Sequence, residues 1–262
     1  MKIGFIGAGN MGGAIAKAVS KATVECELYI ADYNAEKAAE VATLLGGKTA
    51  DNNTVVSACD VVFLGVKPQV LGAVLEGIAP KTKADTVFVS MAAGVKIEKI
   101  QEKLGANAKI IRIMPNTPVS VGSGMILYAC SDTVTAEEEA RFLSIMEKSG
   151  DVDKLPEALI DAGCAVSGCG PAFVYLFAEA LADGGVACGL PRDKARRYAA
   201  QMIYGAADLL KQSEACPGEL KDAVCSPGGS TIRGVMALEE NGLRGAVMDA
   251  VICAFNRTVE LG

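Results

Sequence analysis

Along the first half of the chain, short continuous apolar runs alternate with segments whose apolar residues recur at helical spacing. Lys2–Ile6 reads as a strand, followed by a glycine turn and a helix from about Asn10 to Lys21. Leu28–Ala31 is a second strand, and Ala35–Leu45 is a helix that stops at Gly46-Gly47. Asp60–Leu64 is apolar at every position after its aspartate, the pattern of a strand buried on both faces. Val87–Ser90 and Lys109–Met114 repeat it on either side of a helical Lys96–Leu104, and Gly124–Ala129 precedes a charged helix at about Thr135–Ser149. Strands alternating with helices predict an α/β fold of right-handed βαβ units around a parallel sheet.

From about Pro156 the strand signals vanish. Pro171–Cys188 is helical, with proline in its first turn and Gly189 just past its end. Further helices run from Pro191 to about Gln212, over Glu219–Val224, from Ser230-Thr231 to Asn241, and onward from about Leu243. The pattern divides the chain into a parallel-sheet domain over 1–155 and an all-helical domain over 156–262. The helices are apolar around much of their circumference, as in Ala172-Phe-Val-Tyr-Leu-Phe-Ala178, which predicts burial against a second subunit.

Composition narrows the chemistry. A chain of 262 residues that is 51% apolar and 21% charged buries a large core and is no disordered tail. A net charge of −6 without a long basic run argues against a nucleic-acid partner. The absence of histidine removes every imidazole-dependent nucleophile system and the commonest metal ligand, so no metal is expected. Nine scattered cysteines without a C-x-x-C pair fit small core residues in a reducing cytoplasm better than a disulfide framework. No membrane span is expected either. The longest uncharged stretch, Ile113–Ser131, contains Pro115 and Pro118, and the apolar run after Asp161 meets Gly168-Cys-Gly-Pro171 and then Glu179 and Asp183. The chain opens directly into strand, turn and helix rather than a leader, so it reads as a soluble cytoplasmic protein.

Gly7-Ala8-Gly9-Asn10-Met11-Gly12 matches G-x-G-x-x-G after a strand and at the start of a helix, the context of a Rossmann-type dinucleotide domain. Gly7 permits the tight turn, Gly9 lets the backbone approach a pyrophosphate, and Gly12 allows close helix–strand contact. The helix N-terminus then offers N–H groups to the phosphates. Asp32 lies 20 positions after Gly12, where a carboxylate accepts from a ribose 2′-OH and repels a 2′-phosphate. Tyr33 and Asn34 supply no arginine for that phosphate, and Lys37 is the nearby cation. NADH is therefore expected to be accepted at least as well as NADPH. Gly65-Val66-Lys67-Pro68, Ser90-Met91-Ala92-Ala93-Gly94 and Met114-Pro-Asn-Thr-Pro118 follow three later strands at their carboxyl ends, where open α/β sheets bind ligands. Taken together they outline a dinucleotide cleft, although each alone is an ordinary connection.

In the helical half, Ser226-Pro227-Gly228-Gly229-Ser230-Thr231 runs into a helix. Its N–H groups suit a carboxylate, but a plain N-cap by Ser230 or Thr231 explains the same residues equally well. The ordered set Gly4–Gly12, Val66–Pro68, Met114–Pro118, Gly170-Pro-Ala172, Ala182–Gly185, Gly189-Leu-Pro191, Leu220-Lys-Asp222 and Ser226–Gly229 closely resembles the pyrroline-5-carboxylate reductase family along essentially the whole chain. The resemblance implies reduction of the imine 1-pyrroline-5-carboxylate to L-proline by NADPH or NADH, the last step of proline biosynthesis. It implies a homodimer interlocked through the helical domain, an active site at the dimer interface, and further assembly into a decamer. It also implies roles for single residues. Thr231 would contact the imine nitrogen with Glu214 nearby, and the N–H groups of Ser226, Gly228, Gly229, Ser230 and Thr231 would hold the carboxylate. Asn52, Val66, Lys67, Pro68, Ala92 and Ala93 would join Gly7–Gly12 in contacting the cofactor. Departures from the family pattern are Cys169 where a serine is usual and Tyr33 where an arginine is familiar.

An iminium carbon is already electrophilic, so positioning and electrostatics can supply most of the acceleration without an imidazole. Two other functions fit parts of the sequence. A β-hydroxyacid dehydrogenase shares the glycine turn but needs a lysine early in its second domain, and none occurs between Lys154 and Lys194. A non-catalytic dinucleotide sensor would bind cofactor without turnover.

Overall fold

The computed structural model describes residues 1–261. Its first 169 residues, joined by the chain's last residues from Ala254, form one compact unit, and Gly170–Cys253 form a second. Eight strands build the sheet of the first unit: β1 (Lys2–Ile6), β2 (Glu27–Ala31), β3 (Lys48–Thr49), β4 (Val61–Leu64), β5 (Val87–Ser90), β6 (Lys109–Pro115), β7 (Gly124–Cys130) and β8 (Gly150–Lys154). Their order is β3-β2-β1-β4-β5-β6-β7-β8.

Seven helices accompany them: α1 (Asn10–Val19), α2 (Ala35–Leu45), α3 (Asn52–Ala58), α4 (Pro68–Ile78), α5 (Ile97–Leu104), α6 (Ala136–Met146) and α7 (Ile160–Ser167). Every position of β4 and β5 is buried because helices cover both faces of the sheet. Alternate residues of β4 serve opposite sides. Phe63 stacks on Phe5 at 4.7 Å between ring centroids in one core, while Val62 and Leu64 join Leu71, Leu75 and Ile100 in the other.

One pair breaks the parallel pattern. β6 and β7 are antiparallel, because only a short 3-10 turn at Thr117–Val121 joins them and a parallel return needs a crossover of a dozen residues or more. The strands β3 and β8 and the helices α3, α4 and α7 add to those the sequence pattern predicts.

The compact sheet unit runs on through Cys169. The helix α7 turns buried Ile160, Cys164 and Ala165 inward. Its start is held by Arg112 of β6, 1% exposed, which pairs with Asp161 at 2.5 Å and with Glu157 at 3.3 Å. Its end is held by Asn116, whose Nδ2 donates to the Ser167 carbonyl at 3.0 Å. A helix that spends its apolar face and its charges on the sheet belongs to the sheet unit, although its sequence reads like the helical half.

The second unit contains α8 (Gly170–Ala187), α9 (Arg192–Gln212), α10 (Pro217–Ala223), α11 (Ser230–Glu240) and the greater part of α12 (Leu243–Leu261). Of the 18 residues of α8 only Ala182 is buried, and Tyr175, Leu176, Phe177, Met202, Tyr204, Met248 and Ile252 leave an apolar surface uncovered. Gly168 keeps helical angles, φ −74° and ψ −45°, and both its N–H and that of Cys169 donate to the Cys164 carbonyl. Among the described residues, Glu157–Ala187 is the one run long and apolar enough to cross a membrane by length and composition. All nine cysteines are free, and burial pushes the Cys59 thiol up to about 12 and that of Cys164 to about 11, so neither is a ready thiolate.

Candidate active-site elements

The glycine turn leaves β1 and enters α1 in the first unit. Gly7 has φ +98°, and a Cβ there would lie 2.6 Å from the Gly65 carbonyl carbon. The loops after β1 and β4 thus touch backbone to backbone, which requires glycine on both sides: a Cβ on Gly65 would lie 2.5 Å from the Gly7 oxygen. A Cβ on Gly12 would come within 2.1 Å of the same oxygen. Gly9 is the opposite case, with nothing within 4 Å of its missing side chain. It is also the N-cap of α1, so no side chain caps the first turn, and no acidic residue lies in that turn. The loop presents free N–H donors at a positive helix end beneath open space, a cradle that fits a pyrophosphate.

The other predicted cofactor residues lie at the carboxyl ends of neighbouring parallel strands. Asp32 follows β2, and its Oδ2 accepts from the Ala8 N–H at 2.7 Å while Oδ1 accepts from the Asn34 N–H at 2.9 Å. Tyr33 is fully exposed, and Asn34 caps α2 by accepting from Glu36 and Lys37. Asn52 is the first residue of α3. The carboxylate of Asp51, held below its usual range by hydrogen bonds from Thr54, caps that helix. Val66 and an exposed Lys67 follow β4, with Pro68 as the first residue of α4. Ala92 is buried and Ala93 half-buried after β5, just before the left-handed Gly94. The loop after β6 is spent differently. Asn116 accepts from Met125 at 2.9 Å and donates to Ser167, tying β6, β7 and α7 together. Gly65 opens a loop that the sequence already places at the sheet edge, and its close approach to Gly7 appears only in the structure. Arg112 is a buried contributor with no signal in the sequence.

In the second unit, the Gly229 N–H donates to the Ser226 carbonyl at 3.0 Å, Gly228 has φ +71°, and a Cβ on Gly229 would strike the Ser226 hydroxyl. The N-cap of α11 is Gly229, which leaves Ser230 and Thr231 as the first two helical residues and the cap without a side-chain hydrogen bond. Ser226, Ser230 and Thr231 are exposed. The ordinary N-cap explanation of this segment therefore does not apply, and its first-turn donors are open. Glu214 is exposed between α9 and α10, in a turn held by Ser213 accepting from Ala215 and Glu219 accepting from Cys216. Among the described residues, neither Glu214 nor Thr231 has a side-chain hydrogen-bond partner, so the two are not paired in this structure.

Comparison with known proteins places both units. Pyrroline-5-carboxylate reductase 3 of Danio rerio is 41% identical over 100% of this chain and 92% of its own. The chain belongs to the pyrroline-5-carboxylate reductase family. A reductase of that name from Pisum sativum is 41% identical over 99% of this chain and 95% of its own. A crystal structure of the Plasmodium falciparum pyrroline carboxylate reductase with NADP bound superposes with a TM-score of 0.89, at 32% identity, covering 100% of this chain and 98% of that one. The family's dimerisation domain matches residues 157–261, and an NADP oxidoreductase domain described as coenzyme F420-dependent matches residues 2–94. The glycine turn lies within the second of these matches and the Ser226–Thr231 segment within the first.

Proposed function

We infer that this chain reduces 1-pyrroline-5-carboxylate to L-proline with NAD(P)H, the last step of proline biosynthesis. The observation that carries this reading is the uncapped start of α11, a carboxylate cradle with an exposed hydroxyl, in a member of this reductase family. The N–H groups of Ser226, Gly228, Gly229, Ser230 and Thr231 receive the substrate carboxylate. The hydroxyl of Thr231 hydrogen-bonds the imine nitrogen and keeps its proton in place, and Glu214 is the carboxylate assigned to the same site. Bound nicotinamide supplies the hydride that adds to the imine carbon. Gly7, Ala8, Gly9, Asn10, Met11 and Gly12 shape the pyrophosphate cradle. Asn52, Val66, Lys67, Pro68, Ala92 and Ala93 line the rest of the cofactor's course along the sheet edge.

The uncovered apolar surface of α8, α9 and α12 is the homodimer interface, and five such dimers close into a decamer. The same burial accounts for the apolar run Glu157–Ala187 without a membrane, in a soluble cytoplasmic enzyme. The carboxylate of Asp32 and the lack of an arginine at Tyr33 favour the cofactor without a 2′-phosphate. Steady-state kinetics with the imine and each reduced cofactor test this reading. NADH is expected to give a kcat/KM at least equal to that of NADPH, and a strong advantage for NADPH would contradict the cofactor assignment.

A further inference from the structure

The sequence reading places the Asp32 carboxylate against a cofactor ribose, but in the structure both of its oxygens serve the protein's own backbone. Oδ2 accepts from Ala8 in the middle of the glycine turn, and Oδ1 accepts from Asn34, the residue that caps α2. The adjoining Ala31 carbonyl accepts from Gly7 at 2.8 Å. The end of β2 thus takes two successive N–H groups of the turn, one of them on an ionised oxygen. Charge-assisted bonds of this kind are roughly twice as strong as neutral ones. Ala8 is 2% exposed, and removing the carboxylate takes away the acceptor that its N–H uses in the fold. Gly7 keeps its left-handed φ with its carbonyl packed against the Gly12 and Gly65 backbones, and the Asp32 bond holds the next residue of the same turn.

We propose that Asp32 is a positioning residue. It fixes the glycine turn so that the donors of Gly9, Asn10 and Met11 stay aimed at a pyrophosphate, and it does so for NADH and NADPH alike. This rests on the dinucleotide reading above and changes the part Asp32 plays in it: the carboxylate builds the cradle before it meets any ribose.

Two variants, Asp32→Ala and Asp32→Asn, test the proposal in two measurements. Amide hydrogen exchange on the cofactor-free protein should show Ala8 exchanging about tenfold faster or more in Asp32→Ala, with β4 and β5 still protected. Titration with NAD+ and NADP+ should show both affinities falling by about tenfold or more, with Asp32→Asn intermediate because it keeps one acceptor oxygen. Unchanged exchange at Ala8 would overturn the proposal. So would loss of NAD+ affinity with NADP+ affinity kept or raised, the result of a ribose contact alone. If Asp32→Ala does not fold, Asp32→Asn carries both comparisons. The exchange measurement needs no cofactor: a parent protein that binds neither dinucleotide would end the reductase reading while still deciding whether Asp32 holds the turn.

Discussion

Thr231 is the side chain on which the proposed chemistry is most concentrated. The start of α11 has no side-chain cap, so its hydroxyl is not consumed by its own helix and stays available to a ligand. A hydrogen bond to a charged group contributes about 1.5–3 kcal/mol, so Thr231→Ala should lower kcat/KM for the imine by roughly 10–100-fold. Cofactor affinity should be unchanged, and Thr231→Ser should keep most of the activity. Steady-state kinetics with a parallel cofactor titration make the check. Wild-type kcat/KM in the alanine variant would remove Thr231 from the reaction.

At the scale of elements, the acidic start of α6 shows how one residue can serve two structures. Glu138 completes the capping box with Thr135 and also pairs with Lys109 of β6 at 2.7 Å. Burial alone would raise its carboxyl, but the bonds from Lys109 and Thr135 outweigh burial and hold it below the usual value of 4.5. A depressed folded-state value means the contribution is complete above about pH 4.5 and is lost as pH falls through the folded value. Urea unfolding across the acid range should therefore show stability declining below that point. Glu138→Gln should be less stable at neutral pH and show a shallower acid decline, and an identical acid limb in the variant would contradict the assignment.

The same elements show what was legible in the sequence. The helix Ala35–Leu45 is bounded by its own signals, the Asn34 cap and the left-handed Gly46, and β4 by its unbroken apolar run. By contrast β3 is two exposed residues, and β8 carries one apolar residue among charges, so each exists only through a neighbouring strand. The helix α7 is claimed by the sheet through Arg112, a tertiary ion pair with no local trace. The candidate site divides in the same way. Glycines needed for a left-handed turn or a close approach announce themselves, whereas the partner of Asp32 lies 24 positions away and appears only in the fold.

For the whole molecule, the deciding fact is the apolar surface that the second unit leaves uncovered. Leu176 is 68% exposed on α8, inside the region that matches the family's dimerisation domain. Light scattering should give particles of two chains or more. Leu176→Glu should shift them toward single chains and abolish imine turnover while NADP+ still binds, since the glycine turn belongs to the other unit. An unaltered assembly in that variant would place the interface elsewhere.

The missing histidine fits this picture: a hydride moving onto an already electrophilic carbon needs oriented N–H groups, a hydroxyl and a bound dinucleotide. The most direct measurement of that claim follows the hydride itself. With 1-pyrroline-5-carboxylate and NADH deuterated at nicotinamide C4 on the transferring face, the enzyme should form L-proline with one deuterium at Cδ as the cofactor is oxidised. Cofactor oxidation without proline, or proline without deuterium at Cδ, would contradict the assignment.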